Sequence, residues 1–308
     1  MRIATATAFD ASISNLQRRQ EALSLAQTQL TSGKRVLNPS DDPAAAARIE
    51  RAATTISLSD SRLRALDVAK SNMQLGESAL SDGGELLQQA RELLIQAGGG
   101  GLSDAERSSI ADGLRGIRNS LLGVSQRTDG NGRYLFGGQG SDNSPLLDTA
   151  NGVLYQGTTG QLAAGVGDAM KLSLDGQAVW LQAPDPANPG ATVSVFDNLD
   201  KVIGQLQTPG RSGQDIAQTV SDGIKGIDAT ASNLSRWRSR VGEALKQADT
   251  LGDQLAQTKL DAQTMQSDAQ DLDMVQAISS FQSQQTGYDA ALKMYSLVQR
   301  MSLFDYVK

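Results

Sequence analysis

The chain has no cysteine and no histidine among its 308 residues. Without thiols there is no disulfide and no thiolate metal site, and without imidazole the commonest biological base and metal ligand is absent. Most hydrolase and metalloenzyme constellations need one of the two, so the expectation is a non-enzyme that carries no cofactor and no metal. Aromatic residues are also scarce, at 4%. A chain poor in aromatics and rich in Ala, Ser, Gln and Leu builds long helices with thin apolar seams more readily than a thick globular core. No apolar run approaches the roughly 20 residues that span a bilayer, and the opening MRIATATAFDASISNLQ has no apolar h-region of a removed secretory signal. Excess positive charge is missing as well. With a net charge of −6 and a pI near 4.8, neither nucleic acid nor membrane insertion is expected. No Walker A or dinucleotide fingerprint occurs. The length suits two or three modules or one elongated assembly subunit.

What the chain does have is heptads. Phe9, Leu16, Leu23 and Leu30 recur at spacing seven, with Ile13 and Ala26 beside them. That is a narrow stripe, either the seam of a coiled coil or the face of an ordinary amphipathic helix. Gly33 then reads as a helix stop, Asn38-Pro39 as an extended turn, and Asp42-Pro43 as an N-cap followed by Pro at the first helical position. Periodicity resumes with Ile49, Ile56 and Leu63 on one row and Leu66, Met73, Leu80, Leu87 and Leu94 on another. Unbroken, this helix would run about 80 Å at about 1.5 Å per residue; Gly83-Gly84 is a candidate kink and Gly98 to Gly101 its end. Ser103 to Glu106 is a capping box. It opens a third helix bearing Ile110, Leu114, Ile117, Leu121 and Val124, and the two should form an antiparallel hairpin.

From Thr128 to about Phe196 the composition turns to Gly, Asn, Asp and Pro, with short apolar runs at GVLYQG, MKLSLDG and QAVWLQ. These predict short strands and hairpins, with Asp175-Gly176 as a turn. Helical pattern returns with Phe196, Leu199, Val202, Ile203 and Leu206. After a TPGRSGQD loop, the row Val220, Ile227, Leu234, Val241, Ala248 and Leu255 follows. The last segment sets Met274, Phe281, Tyr288 and Tyr295 at spacing seven, with Ile278 and Leu292 alongside. The layout is three helices, a β insert and two helices. The fold class expected is mainly α: an elongated helical bundle with a terminal N/C coiled coil and a small β-rich insert. Expected domains are a terminal coiled coil at 1–40 and 270–308, a bundle at 41–137 and 196–269, and an insert at 138–195.

Few residues invite chemistry. Arg236, Trp237, Arg238 and Arg240 form a basic-aromatic cluster, read as a solvated helix face with Trp at a subunit contact. Asp41/Asp42 and Asp271/Asp273 could be acid–base pairs, but helix N-capping explains them as well. Asp129-Gly-Asn131-Gly looks like half a calcium loop, yet the spacing fails at Arg133 and no Glu follows at the required distance; a tight turn is expected.

Three segments carry a resemblance. LTSGKRVLNPSDDPAAAARI (30–49) resembles the signature of the bacterial flagellin superfamily. ESALSDGGELLQQARELLIQA (77–97) and GRYLFGG (132–138) are similar to its next helix and strand. The C-terminal YDAALKMYSLVQRMSLFDYV and the MRIATATAF start are more similar to the hook–filament junction subunits of that superfamily than to filament flagellins. The resemblance implies a flagellin-like fold and unfolded export through the flagellar type III apparatus, with an export chaperone on the C-terminal segment. It also implies an extracellular ring of such subunits between hook-associated protein 1 and the first flagellin subunits. A filament flagellin is the alternative; a binding or enzymatic role for the insert is a remoter one.

On this reading the assembly interface is Phe9, Ile13, Leu16, Leu23 and Leu30 with Met274, Ile278, Phe281, Tyr288, Leu292 and Tyr295. Gly33, Lys34, Arg35, Asp41 and Asp42 form either a joint or a plain turn, with Lys34 and Arg35 free to pair with acidic neighbours across subunits. A single row of Leu or Tyr per heptad does not offset about 1–2 kcal/mol of backbone entropy per residue. Residues 1–35 and 272–308 are therefore expected to order fully only on assembly.

Overall fold

A computed structural model describes residues 2–140, 142–163, 171, 173–185 and 188–304, with side chains described only between residues 10 and 297. Six α-helices account for most of it: α1 (Arg2–Ser32), α2 (Pro43–Ala97), α3 (Asp104–Ser125), α4 (Val195–Gln207), α5 (Gly213–Gln270) and α6 (Met274–Phe304). Three helices follow the insert, not two, because the short α4 is separate from α5. The chain divides into two compact units, residues 1–59 with 257–308, and residues 60–256.

Within the 60–256 unit, α2 to α5 run up and down. Arg127 pairs with Asp82, Arg118 with Asp200, Thr219 with Gln205 and Arg91 with Asp228, so successive helices are antiparallel and α5 returns against α2. The reason is a division of sizes along α2. Leu66, Met73, Leu80, Leu87 and Leu94 fill one heptad row, while the row three residues on is Ala69, Gly76, Gly83, Ala90 and Ala97; all ten are buried. Large side chains thus face small ones, and neighbouring elements approach closely. Each buried Leu or Met contributes about 1.5–3 kcal/mol. Gly83 does not kink α2, which is helical through it. A Cβ there would lie 2.7 Å from the Trp180 indole, so the missing side chain is space for that ring.

Among the described residues of the insert, strand pairing is short, with single antiparallel bridges joining Ala163 to Lys171 and Gly137 to Asp175. Two hairpins form: β1 (Leu146–Thr149) with β2 (Gly152–Tyr155), and β3 (Ala183–Pro184) with β4 (Thr192–Val193). GVLYQG thus supplies a strand as expected. QAVWLQ does not: Gln177–Leu181 is a single wide π-helical turn, and Asp175 is not a hairpin turn but the group whose Oδ1 accepts the Gln177 and Ala178 N–H groups opening it. Most of MKLSLDG lies in this segment's neighbourhood, with Met170 and Leu172 outside the described residues. The turn brings Trp180 into the core, where it meets Phe136 edge-on at 5.3 Å. Asn233 of α5 donates to the carbonyls of Ala178 and Val179, both at 2.9 Å, and fixes it there. Burial overrides strand propensity.

Arg118, its side chain 8% exposed, ties the insert to the bundle. It donates to Asp148 of β1 and Asp200 of α4, and its guanidinium lies 5.7 Å from the Phe196 ring. The Arg118 hydrogen bond holds the Asp148 carboxyl below its usual range. Asp129 Oδ1 accepts the Asn131 and Arg133 N–H groups, which is the tight turn expected of that segment. The basic cluster is also spent within the chain. Arg238 pairs with Glu77, Arg240 stacks 4.9 Å over Trp237, and Trp237 packs, partly buried, against the core.

Candidate assembly interface

Helices α1 and α6 form an antiparallel pair. The N–H of Leu272 donates to the Gly33 carbonyl at 3.0 Å, and fourteen residues back along α1 the Arg19 guanidinium lies against Gly287. On α1 the expected stripe is where the sequence put it: Ile13, Leu16, Leu23 and Leu30 are partly buried, with Ala26 beside them. The side chain of Phe9 lies outside the described residues. On α6 the expected set splits. Phe281, Tyr288 and Tyr295 are partly buried, whereas Met274, Ile278 and Leu292 are 44%, 46% and 39% exposed. Ala277, Gln284, Gly287 and Ala291 are also partly buried. Hydrophobicity alone missed them because they are small or polar; their spacing of seven (277, 284, 291) was the available signal.

No described side chain of α1 or α6 is fully buried. Met274, Val275, Ile278, Leu292, Met294 and Leu297 stand exposed, an apolar surface left open among the described residues.

The five residues read as a joint do come together, and the segment is a splice rather than a plain turn. Gly33 stops α1 in the left-handed region (φ 70°), its N–H reaching back to the Gln29 carbonyl at 2.8 Å. A Cβ at Gly33 would meet nothing within 4 Å, so its φ is what requires glycine. Lys34 bridges antiparallel to Asp271. The Arg35 N–H donates to the Gln270 carbonyl at 2.7 Å, and its guanidinium donates to the Ala269 carbonyl at 2.9 Å and to Asp42 at 3.2 Å. Arg35 therefore satisfies carbonyls that the end of α5 leaves without helical partners and pairs with Asp42 of its own chain.

Asp42 caps α2 by accepting the Ala45 N–H at 2.9 Å. That bond first, and Arg35 second, hold its carboxyl below the ordinary value. Asp273 caps α6 through the Val275 and Gln276 N–H groups. The other two acids do not cap: Asp41 accepts the Leu37 and Asn38 N–H groups within the turn, and Asp271 accepts from the Ser267 hydroxyl. All four have structural partners that account for them without acid–base chemistry.

Comparison with known proteins fits this arrangement. Residues 3–141 match the bacterial flagellin N-terminal helical region. Flagellar hook-associated protein 3 of Salmonella typhimurium is 30% identical over 99% of each chain. A flagellin of Bacillus subtilis is 23% identical over 82% of this chain and 81% of its own length. The solved flagellar hook-associated protein 3 of Legionella pneumophila superposes with a TM-score of 0.63, at 18% identity, covering 70% of this chain and 97% of that one; it shows the shared fold. With helices at both ends, a bundle between them and similarity running nearly end to end, the chain belongs to the flagellar hook-associated protein 3 family.

Proposed function

We propose that the chain is a structural, non-catalytic subunit of the bacterial flagellum that forms the junction ring between hook and filament and enters the assembly through its terminal helices. The observation that carries this is the unfinished terminal pair: an antiparallel seam with no fully buried side chain among the described residues and an exposed apolar flank. Such a pair recovers little of the backbone entropy it costs to order, about 1–2 kcal/mol per residue, until neighbouring subunits cover it.

In this reading Phe9, Ile13, Leu16, Leu23, Leu30, Phe281, Tyr288 and Tyr295 hold the pair together, and Met274, Ile278 and Leu292 face other subunits. Residues 1–40 with 270–308 act as the assembly domain, 41–137 with 196–269 as the bundle, and 138–195 as the insert. The partners are further copies of the chain, hook-associated protein 1 on the hook side and flagellin on the filament side. A chaperone holds the C-terminal segment before unfolded export to the cell exterior.

The test is addition of the purified chain to hooks bearing hook-associated protein 1. Binding followed by flagellin growth is expected. Long filaments of the chain alone would point to a filament subunit instead. A variant trimmed of residues 1–35 and 272–308 that still joins hook to filament overturns the assembly role of the termini.

A further inference from the structure

We infer that the register in which α1 and α6 pair is set by the Arg35 splice and not by the seam between the helices. This goes beyond the junction role and does not depend on it.

The seam is poorly placed to choose a register. Leu16, Leu23 and Leu30 repeat the same residue at three successive heptads of α1, and Phe281, Tyr288 and Tyr295 repeat an aromatic one on α6. Sliding either helix by seven residues replaces Leu with Leu and Tyr with Tyr or Phe. The row of α6 beside the aromatic one, Ala277, Gln284 and Ala291, holds one polar side chain between two small ones. A polar seam residue can specify register when it finds its partner. Gln284 does not, because its Oε1 is buried without a donor.

The splice, by contrast, fits in one place only. Its bonds use backbone groups freed where two helices break: after Gly33, and between Gln270 and Asp273. Leu272 N–H meets the Gly33 carbonyl, Arg35 N–H meets the Gln270 carbonyl, and the Arg35 guanidinium reaches the Ala269 carbonyl and the Asp42 carboxylate. The Gln29 side chain closes the set by donating to the Arg35 carbonyl at 2.8 Å. A seven-residue slip would place residue 265 or 279 opposite Gly33. Both lie inside helices, where backbone donors and acceptors are already engaged. Only the observed register brings the two breaks side by side, with Arg35 as the positioning residue that fastens them.

The absence of native cysteine makes the test clean. Three double variants of the full chain place thiols in the observed register (R19C with G287C) or one heptad to either side (R19C with S280C, R19C with M294C). Each is treated in dilute solution with a short bismaleimide, first with the splice intact and then in an R35A/L272P background, which removes the guanidinium and one backbone donor. With the splice intact, the 19–287 product should exceed each shifted product by about tenfold or more, the preference that a few backbone and charge-assisted hydrogen bonds supply. In the R35A/L272P background the three yields should become comparable, while the circular dichroism melt of the 60–256 unit is unchanged. Persistence of the 19–287 preference in the R35A/L272P background overturns the inference. So do equal yields with the splice intact, and so does failure of all three pairs to cross-link. No hook or flagellin is present, so none of these results bears on the junction role.

Discussion

Helices α2 and α5 each carry one seven-residue row into both compact units, but the residues filling it differ in size. In the 60–256 unit the rows are Leu66, Met73, Leu80, Leu87 and Leu94 against Val220, Ile227, Leu234, Val241, Ala248 and Leu255, large but for the one Ala. In the other unit the same rows read Ala45, Ala52 and Ser59 on α2, and Ala262 and Ala269 on α5. All are buried, yet an Ala removes far less apolar area from water than a Leu, and the hydrophobic contribution scales with that area. The 60–256 unit also has Trp180, Phe136 and Phe196 in its core; the other adds, among the described residues, Val36 and the thin α1–α6 seam. One heptad phase therefore serves a region with a thick apolar core and a region with a thin one. Phase fixes which residues face inward, and volume decides how much stability results.

Substitutions can break that contrast, beginning with the largest effect. Trp180→Ala should cost about 3–5 kcal/mol of the stability of the 60–256 unit, read as a lowered midpoint in urea. Gly83→Ala should cost about 1–3 kcal/mol through crowding of the same ring, outweighing the roughly 1 kcal/mol helix-propensity gain of Ala over Gly. A stabilised G83A protein would mean the indole has room to move.

A pH effect should separate the units next. Burial first, and Asp175 second, push the Tyr155 phenol up to about 12 from 10.0. The folded-state value is the raised one, so its stabilising contribution is complete below pH 10 and fades as pH rises toward 12. Tyr155→Phe should reduce the loss of stability of the 60–256 unit between those pH values, measured as the pH dependence of its melt. The smallest stability effect belongs to the terminal pair. Phe281→Ala should shift the free chain by no more than about 0.5 kcal/mol yet sharply reduce incorporation at hooks. A large loss of monomer stability would show the seam to be complete without neighbours.

Much of this was legible in residues. The Ser103–Glu106 capping box forms as expected, with the Ser103 N–H donating to Glu106 at 2.7 Å and the Glu106 N–H returning to the Ser103 hydroxyl. The Gly33 stop, the Asp42 cap and the buried rows of α2 and α5 are likewise where local rules put them. What could not be read was anything needing two distant segments at once. Gly83-Gly84 suggested a kink because local propensity knows nothing of Trp180. QAVWLQ suggested a strand because nothing local shows a bundle waiting to bury its indole. Nothing local marks Arg118, whose partners Asp148 and Asp200 come from segments 30 and 82 residues away. At the interface, Ala277, Gln284 and Ala291 were missed because hydrophobicity does not mark small or polar seam residues.

The sequence by itself determined the helices, their caps and stops, and which face of each turns inward, because those depend on periods and side-chain hydrogen bonds spanning a few residues. Tertiary structure alone decided where glycine serves as space rather than flexibility, and which charges pair across the chain. It also decided that the two helix breaks meet at Arg35. Those outcomes depend on close approach between segments far apart in the chain, where the volume and the unpaired backbone groups of one are matched by the other.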